Sequence, residues 1–242
     1  MEASGNRIEA SRVISEAFET YGNYVGPLIG GAAIVIGIAG VINGLCAISG
    51  SLFLILLGGI ISLVAQVLYT GYVVKLVQDV RDGRLDHGVG ELFSAASPYI
   101  VTLILNGILY GIAVAIGFFL LIVPGLILIT IWAVVAPAIV VEDRGVIEAF
   151  GRSRELVKGQ GWAVFLTILM AFLIILVVTF LAALIGASIG DAGRVIVQTL
   201  ANVAVVPIAA LVSSILFFDL GGSMSAPTAP APPAAEPPAP AA

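Results

Sequence analysis

Long apolar stretches alternate with short polar segments along most of the chain. A transmembrane helix needs about 20 consecutive apolar residues, and about 17–25 are tolerated. Measured against that length, the pattern predicts six spans, at residues 25–47, 51–77, 98–120, 125–141, 161–185 and 195–219. Pro124-Gly125 is expected to divide the third span from the fourth, because proline removes a backbone donor and glycine permits a tight reversal. The predicted fold class is all-α, a polytopic membrane protein.

Composition and charge placement agree with a chain that lies in lipid. Hydrophobic residues make up 60% of the sequence and charged residues 10%, against about 45–50% and about 25% in soluble domains. The basic residues divide between two sides, with Arg7, Arg12, Lys75, Arg81, Arg84, Arg144, Arg152, Arg154 and Lys158 on one side and Arg194 alone on the other. Because segments rich in Lys and Arg stay in the cytoplasm, we expect both termini to be cytoplasmic, in the bacterial cell membrane.

The cytoplasmic segments carry amphipathic patterns of their own. The apolar stripe consists of Ile14, Ala17, Phe18 and Tyr21 in residues 8–21, and of Ile147, Phe150 and Val157 in residues 144–158. Such stripes predict short helices that lie at the membrane surface. Glu142 and Asp143 are expected to begin the later helix, and Lys158 with Gly159 to end it.

A Glu-x-Phe signature occurs three times, at 16–18, 91–93 and 148–150. An aromatic residue then opens the next span in each copy, namely Tyr24, Tyr99 and Trp162. This recurrence predicts three repeats, each a short cytoplasmic amphipathic helix followed by a transmembrane hairpin. The three hairpins would be quasi-equivalent, in a pseudo-threefold or a stacked arrangement.

Three regions follow from these patterns. Residues 1–24 form a cytoplasmic N-terminal arm with its amphipathic helix, and residues 25–220 form the six-helix transmembrane domain. Residues 221–242 are rich in alanine and proline, a composition that predicts a disordered, extended cytoplasmic tail.

Residues suited to catalysis or metal binding are scarce. The chain has one histidine, His87, and one cysteine, Cys46, which cannot supply the usual zinc site. The predicted spans carry no ionisable side chain at mid-depth, whereas ion-coupled transporters and pumps usually need one. We therefore expect no catalytic residues, no metal and no cofactor, and a protein that is not an enzyme.

Amides and small residues are the notable features inside the spans. The amides are Asn43, Gln66, Asn106, Gln198 and Asn202. They are expected to form interhelical hydrogen bonds, with a polar solute pathway as the alternative. Gly40-x-x-x-Gly44 and Gly107-x-x-x-Gly111 fit close helix packing, and Pro137 and Pro207 are expected to kink their spans.

Arg152, Arg154 and Lys158 lie next to Trp162, an arrangement that could bind anionic lipid headgroups at about 1 kcal/mol per basic residue. Membrane topology alone would also place these charges on the cytoplasmic side. Glu148 stands four residues before Arg152, so part of this charge is expected to be paired locally.

Residues 124–162 carry a more specific pattern, Pro124-Gly125, Trp132, Pro137, Glu142, Glu148-Ala149, Arg152-Ser153, Leu156-Val157, Gly159 and Trp162. This pattern resembles the poorly characterised membrane family named after the membrane domain of glycerophosphoryl diester phosphodiesterases. The resemblance implies a six-helix membrane module of unknown role and supplies no functional residues. The catalytic domain that gives the family its name has no counterpart here, so its activity is not expected.

The resulting hypothesis is a non-catalytic integral membrane protein that organises lipids or partner proteins in the cytoplasmic membrane. The alternative is a channel or facilitator for a small solute, which requires the amides to line one continuous path. Expected partners are membrane lipids and either another membrane protein or further copies of this chain, with no nucleic acid.

Overall fold

Short surface helices and long helical hairpins alternate along the chain. The computed structural model describes residues 8–81 and 87–222. Its helices are α1 (Ala10–Asn23), α2 (Val25–Ala32), α3 (Ile38–Ile48), α4 (Leu52–Arg81), α5 (Val89–Ala96), α6 (Ile100–Leu120), α7 (Ile122–Ile131), α8 (Val135–Glu142), α9 (Val146–Val157), α10 (Gly161–Ala187) and α11 (Gly190–Asp219). A π-helical segment joins α2 to α3 and a 3₁₀ turn joins α5 to α6. These described residues contain no β-strand.

Six helical stretches are long and apolar enough to cross a membrane: Val25–Ile48, Leu52–Arg81, Val89–Leu120, Ile122–Glu142, Gly161–Ala187 and Gly190–Asp219. They confirm the predicted all-α, multi-pass membrane fold. Several spans are longer than predicted, because the helices continue past the apolar residues that defined them. α4, for example, runs on to Arg81 and carries Lys75 above the ring of Tyr99, with 5.2 Å from the amine to the ring centroid.

The three predicted repeats are α1 with the hairpin α2–α4, α5 with the hairpin α6–α8, and α9 with the hairpin α10–α11. The second helices of the hairpins, α4, α8 and α11, contact one another pairwise. Each surface helix packs against the second helix of another repeat, α5 on α4, α9 on α8 and α1 on α11. The three repeats therefore close into a ring.

Two of the Glu-x-Phe copies make equivalent contacts. The Phe93 ring stacks on Tyr72 of the preceding hairpin at 4.4 Å between centroids. The Phe150 ring meets Trp132 of its preceding hairpin edge-on at 4.7 Å. Phe18, in the first copy, is 44% exposed instead. The signature thus marks the side chain that seats a surface helix on its neighbouring repeat in two of the three cases.

The reversal between the third and fourth spans differs from the prediction. The chain turns at the extended residue Leu121, and Pro124-Gly125 lies within the first turn of α7. Proline is tolerated there because that N–H has no helical partner in any case. The absence of a side chain on Gly125 serves packing instead, since a Cβ would stand 2.7 Å from the Phe118 ring.

The buried faces of two surface helices also differ from the predicted stripes. In α1, Val13 is fully buried beside Ile14 and Ala17. In α9 the buried face is Ala149, Ser153, Leu156 and Val157, whereas Ile147 is 74% exposed. Small residues face inward on α9 because this helix packs directly against α8. Glu142 ends α8 rather than beginning α9, and Gly145 takes the capping position.

An ion-pair cluster joins three helices at one end of the bundle. Arg12 of α1 contacts Asp219 of α11 at 2.7 Å, and Arg81 of α4 contacts Asp219 at 3.6 Å and Glu16 at 3.4 Å. The Arg81 guanidinium also lies 4.5 Å from the Phe218 ring centroid. The N-terminal helix and the ends of α4 and α11 therefore share one side, as the predicted topology requires.

The two predicted glycine motifs have different outcomes. A Cβ on Gly40 would lie 3.0 Å from Thr199, and one on Gly44 would collide with Val195, so this motif does bring α3 close to α11. By contrast, a Cβ on Gly107 would be 3.9 Å from Val67, and nothing lies within 4 Å of one on Gly111. The second motif is therefore not a close helix contact.

Some predictions fall outside the described residues. These concern the tail from residue 223 onward, the first seven residues with Arg7, and the segment 82–86 with Arg84. His87 is described, and its Nδ1 lies 2.7 Å from Asp79 Oδ1.

Candidate functional site: a polar pocket beside a broken helix

A cavity of about 440 Å³ lies among α4, α6, α8, α10 and α11. Most of its lining is apolar, as in small-molecule sites, which typically enclose about 300–1,000 Å³. The polar side chains in its wall are Gln66, Thr70, Asn106, Tyr110, Trp132 and Ser213. None of the lining residues is charged.

The fourth span is broken where it borders this cavity. α7 ends at Ile131, Trp132–Val134 form a turn, and α8 begins at Val135. Within a bilayer, a broken helix is tolerated only where other groups bond the freed backbone atoms. Pro137 was expected to kink this span, but it lies in the first turn of α8, after the break.

Two serine hydroxyls bond the backbone of the break. The Ser153 hydroxyl, fully buried on α9, donates to the Ile131 carbonyl at 2.9 Å and accepts the Val134 N–H at 3.3 Å. The Ser213 hydroxyl on α11 donates to the Ala133 carbonyl at 2.7 Å. The break is thus held by helices of the third repeat and is a built part of the fold.

The five predicted intramembrane amides do not come together. Gln66 and Asn106 both line the cavity. The Asn43 amide instead donates to the Ser62 hydroxyl at 2.9 Å, within the first hairpin, as an interhelical hydrogen bond should. Gln198 and Asn202 lie on α11 outside the cavity wall.

Most of the cavity's polar residues were not predicted from the sequence. Thr70 and Tyr110 stand four residues after Gln66 and Asn106, so each shares a helical face with a cavity amide, and this spacing is the signal that could have found them. Ser213 adjoins Ser214 and has no such spacing to another polar residue of the cavity. Trp132 was noted only as part of the residue 124–162 pattern. Its place beside the break could not have been read from the sequence, because Ser153 and Ser213 are distant from it along the chain.

Asn106 presents the cavity with a buried polar atom that lacks a partner. The residue is 8% exposed, and its Oδ1 has no hydrogen-bond partner among the described residues. A buried amide left without a partner costs about 1–3 kcal/mol. The Tyr110 and Trp132 rings lie next to each other at 6.2 Å between centroids.

The predicted headgroup residues form a second surface, at the junction between α9 and α10. Arg154 and Lys158 line a depression of about 580 Å³. Trp162 is 73% exposed and lines an apolar groove of about 360 Å³ with Val123 and Phe165. The depression and the groove share Ile131 and Gly161, so they are continuous.

Arg152 does not belong to this exposed surface. Its guanidinium makes a two-pronged hydrogen bond to the Glu142 carboxylate, with contacts of 2.9 Å, and only 25% of its side chain is exposed. The hydrogen bond to Glu142 raises the pKa of Arg152 above its usual value. The predicted pairing with Glu148 is therefore wrong, because α9 turns Arg152 toward the end of α8.

A protein-family model matches residues 50–212, which include every lining residue of the cavity except Ser213 and Leu216. The chain belongs to an uncharacterised protein family, UPF0259. No curated protein and no solved structure matches it. The UPF0259 match offers no link to the phosphodiesterase membrane domain, so the resemblance seen in residues 124–162 stays a prediction.

The residue 124–162 pattern within the UPF0259 region has a structural explanation. Trp132 lies at the helix break, Ser153 bonds that break, and Glu142 holds Arg152. Ala149 is buried on α9, which packs against α8. The pattern therefore marks the unit that supports the broken helix.

Proposed function

We propose that this UPF0259 protein is a non-catalytic protein of the bacterial cytoplasmic membrane that organises lipids there. The observation that carries the proposal is the continuity between the basic depression at Arg154 and Lys158 and the apolar groove at Trp162. An anionic phospholipid has this same division, with a charged head and apolar chains.

The charges of the depression are available to such a headgroup. Among the described residues, Arg154 and Lys158 have no carboxylate within ion-pair distance, and both are exposed. Glu155 lies in the same depression, but its carboxylate faces Arg152 at 3.8 Å. Basic residues near a membrane surface attract anionic lipids by about 1 kcal/mol each.

The orientation belongs to the same proposal. The basic depression faces the cytoplasm if the termini do, and the cytoplasmic leaflet is where anionic lipids give a negative surface potential. Partner proteins or further copies of the chain would join through the lipid-facing helices. Native mass spectrometry also measures their stoichiometry.

Native mass spectrometry of the protein in nanodiscs containing phosphatidylglycerol and phosphatidylcholine tests the proposal. We expect phosphatidylglycerol to be retained preferentially. In the double variant Arg154→Gln/Lys158→Gln, its relative affinity should fall roughly 30-fold, since two charges contribute about 2 kcal/mol. Arg194→Gln, at the opposite end, is the control. Equal retention of both lipids by the unaltered protein would overturn the proposal.

A solute channel is the weaker reading of the same molecule. It needs the amides to line one continuous path, whereas Gln66 and Asn106 line the cavity while Gln198 and Asn202 lie outside it. This separation supports the lipid-organising role over the channel.

A further inference from the structure

Four polar side chains converge on the cavity without partners. Within the described part of the chain, the Asn106 Oδ1 atom and the side chains of Gln66, Tyr110 and Trp132 form no hydrogen bond. In lipid, polar side chains on adjacent helices usually bond to each other. Here they face the shared cavity instead. This arrangement lets them form hydrogen bonds with a molecule inside it.

The cavity extends from the middle of the spans toward the end of the bundle that carries the ion-pair cluster, and it opens sideways. Gln66 is near the midpoint of α4, about 21 Å of helix from either end. Gln66 on α4 is exposed, and Phe172 on α10, which also lines the cavity, is 55% exposed. Because both lie on transmembrane helices, the mouth between them faces the acyl chains of the bilayer. A molecule dissolved in the membrane could enter without passing through water.

The lining selects the chemistry of the occupant. No lining residue is charged, so an ionised head would be held in a low-dielectric space without a counter-ion, which is costly. An amide both donates and accepts hydrogen bonds, and a hydroxyl can satisfy it in either sense. The aromatic rings of Tyr110 and Trp132 offer flat apolar area beside the amide.

We propose that this cavity binds an uncharged, membrane-dissolved amphiphile whose hydroxyl-type head hydrogen-bonds to Asn106. The apolar body lies along Ala171 and Phe172 of α10 and leaves through the lateral mouth. The broken helix serves this site, because the turn at Trp132–Val134 places the indole in the cavity wall. This site is separate from the basic depression, and neither depends on the other.

Photo-crosslinking in nanodiscs tests this site. The probe is hexadecanol carrying a mid-chain diazirine, and the matched control probe is the corresponding alkane without the hydroxyl. We expect the alcohol to label peptides of α6 and α10 roughly fivefold more than the alkane does, the ratio of one net hydrogen bond of about 1 kcal/mol. Excess unlabelled hexadecanol should remove that difference.

Two variants connect the labelling to the cavity. Asn106→Leu should lower alcohol labelling to the alkane level, and Gly107→Leu should lower it by filling the space, since a Cβ there would meet only Val67, at an ordinary contact distance of 3.9 Å. Asn202→Leu, a matched Asn change outside the cavity, and Arg154→Gln/Lys158→Gln should leave labelling unchanged. Thermal unfolding of each variant in the same nanodiscs reports its folding.

Either of two results would overturn the inference. One is equal labelling by the alcohol and the alkane, which would indicate an apolar crevice without head recognition. The other is full alcohol labelling of a folded Asn106→Leu variant, which would leave the amide to bonding with water.

Discussion

In this protein, some serine hydroxyls form hydrogen bonds to backbone groups that other backbone groups would satisfy in an ordinary helix. Ser153 bonds both sides of the turn at Trp132–Val134, accepting from one backbone group and donating to another. Thr70 and Thr167, in contrast, donate to carbonyls four residues earlier in their own helices. Only the hydrogen bonds of Ser153 connect separate segments of the chain. We therefore expect them, and not those of Thr70 and Thr167, to contribute strongly to stability.

Ser153→Ala should lower the free energy of unfolding by about 1–2 kcal/mol, because it leaves the Ile131 carbonyl and the Val134 N–H unpaired in a buried position. Unfolding in mixed detergent micelles measures this loss. Ser188→Ala is the control, since that hydroxyl is exposed and bonds only to its own helix at Ile185. Equal losses in the two variants would mean that Ser153 does not hold the break.

At the scale of elements, one nearly buried carboxylate, that of Glu142, forms the ion pair between α8 and α9. The Glu142 side chain is 4% exposed and contacts Arg152 at 2.9 Å and Arg144 at 3.3 Å. Such a pair adds little net stability, but removing one partner is costly because a charge is then left uncompensated. The pair fixes how α9 packs on the hairpin of the preceding repeat.

Arg152→Ala should destabilise the protein by about 3–5 kcal/mol, reduced to the extent that Arg144 compensates the carboxylate. The double variant Glu142→Gln/Arg152→Ala should recover much of that loss, and a double-mutant cycle of unfolding free energies measures the coupling. Glu148→Gln should show no coupling to Arg152→Ala. Coupling to Glu148 would instead support the pairing inferred from sequence spacing.

The contribution of Arg152 to the stability of the protein holds over a defined pH range. The hydrogen bond to Glu142 raises the pKa of Arg152 above its unfolded value. The stability contributed by the arginine is therefore fully present below its unfolded pKa, which lies far above neutral, and is lost only as the pH rises through the folded pKa. Arg152 itself should contribute no pH dependence across the neutral range.

At the scale of the whole molecule, the repeats assemble with their charged ends together. The cluster of Arg12, Arg81 and Asp219 lies at one end of the bundle. Arg194 follows the turn between α10 and α11, where its Cα is 3.1 Å from the position of a Cβ on Gly186. The first and third hairpins thus end at this cluster.

Topology reporters test the orientation that we propose. Green fluorescent protein fused after the C-terminus should fluoresce, and alkaline phosphatase fused there should be inactive, because both report the cytoplasm in this position. Fusions after Ser188, between α10 and α11, should give the reverse result. An active phosphatase at the C-terminus would contradict the proposed orientation.

The hydrophobic pattern by itself determined the six spans, the three surface helices and the common side of the charged ends. Each of these follows from properties local to the chain, namely the length of apolar runs, helical periodicity and the placement of Lys and Arg. The repeat could also be read locally, since the Glu-x-Phe signature recurs before each hairpin. The Gly40 and Gly44 motif likewise predicted a close contact, although not the helix that supplies it.

The tertiary structure determined which residues form the site. The break after Ile131 depends on hydroxyls from Ser153 and Ser213, which no local pattern connects to it. The partner of Arg152 is Glu142 rather than Glu148, because packing against α8 outweighs spacing along one helix. Gln66 and Asn106 share a cavity, whereas Gln198 and Asn202 do not. Which polar groups meet is fixed by how the three repeats close into a ring, and that closure depends on contacts between residues far apart in sequence.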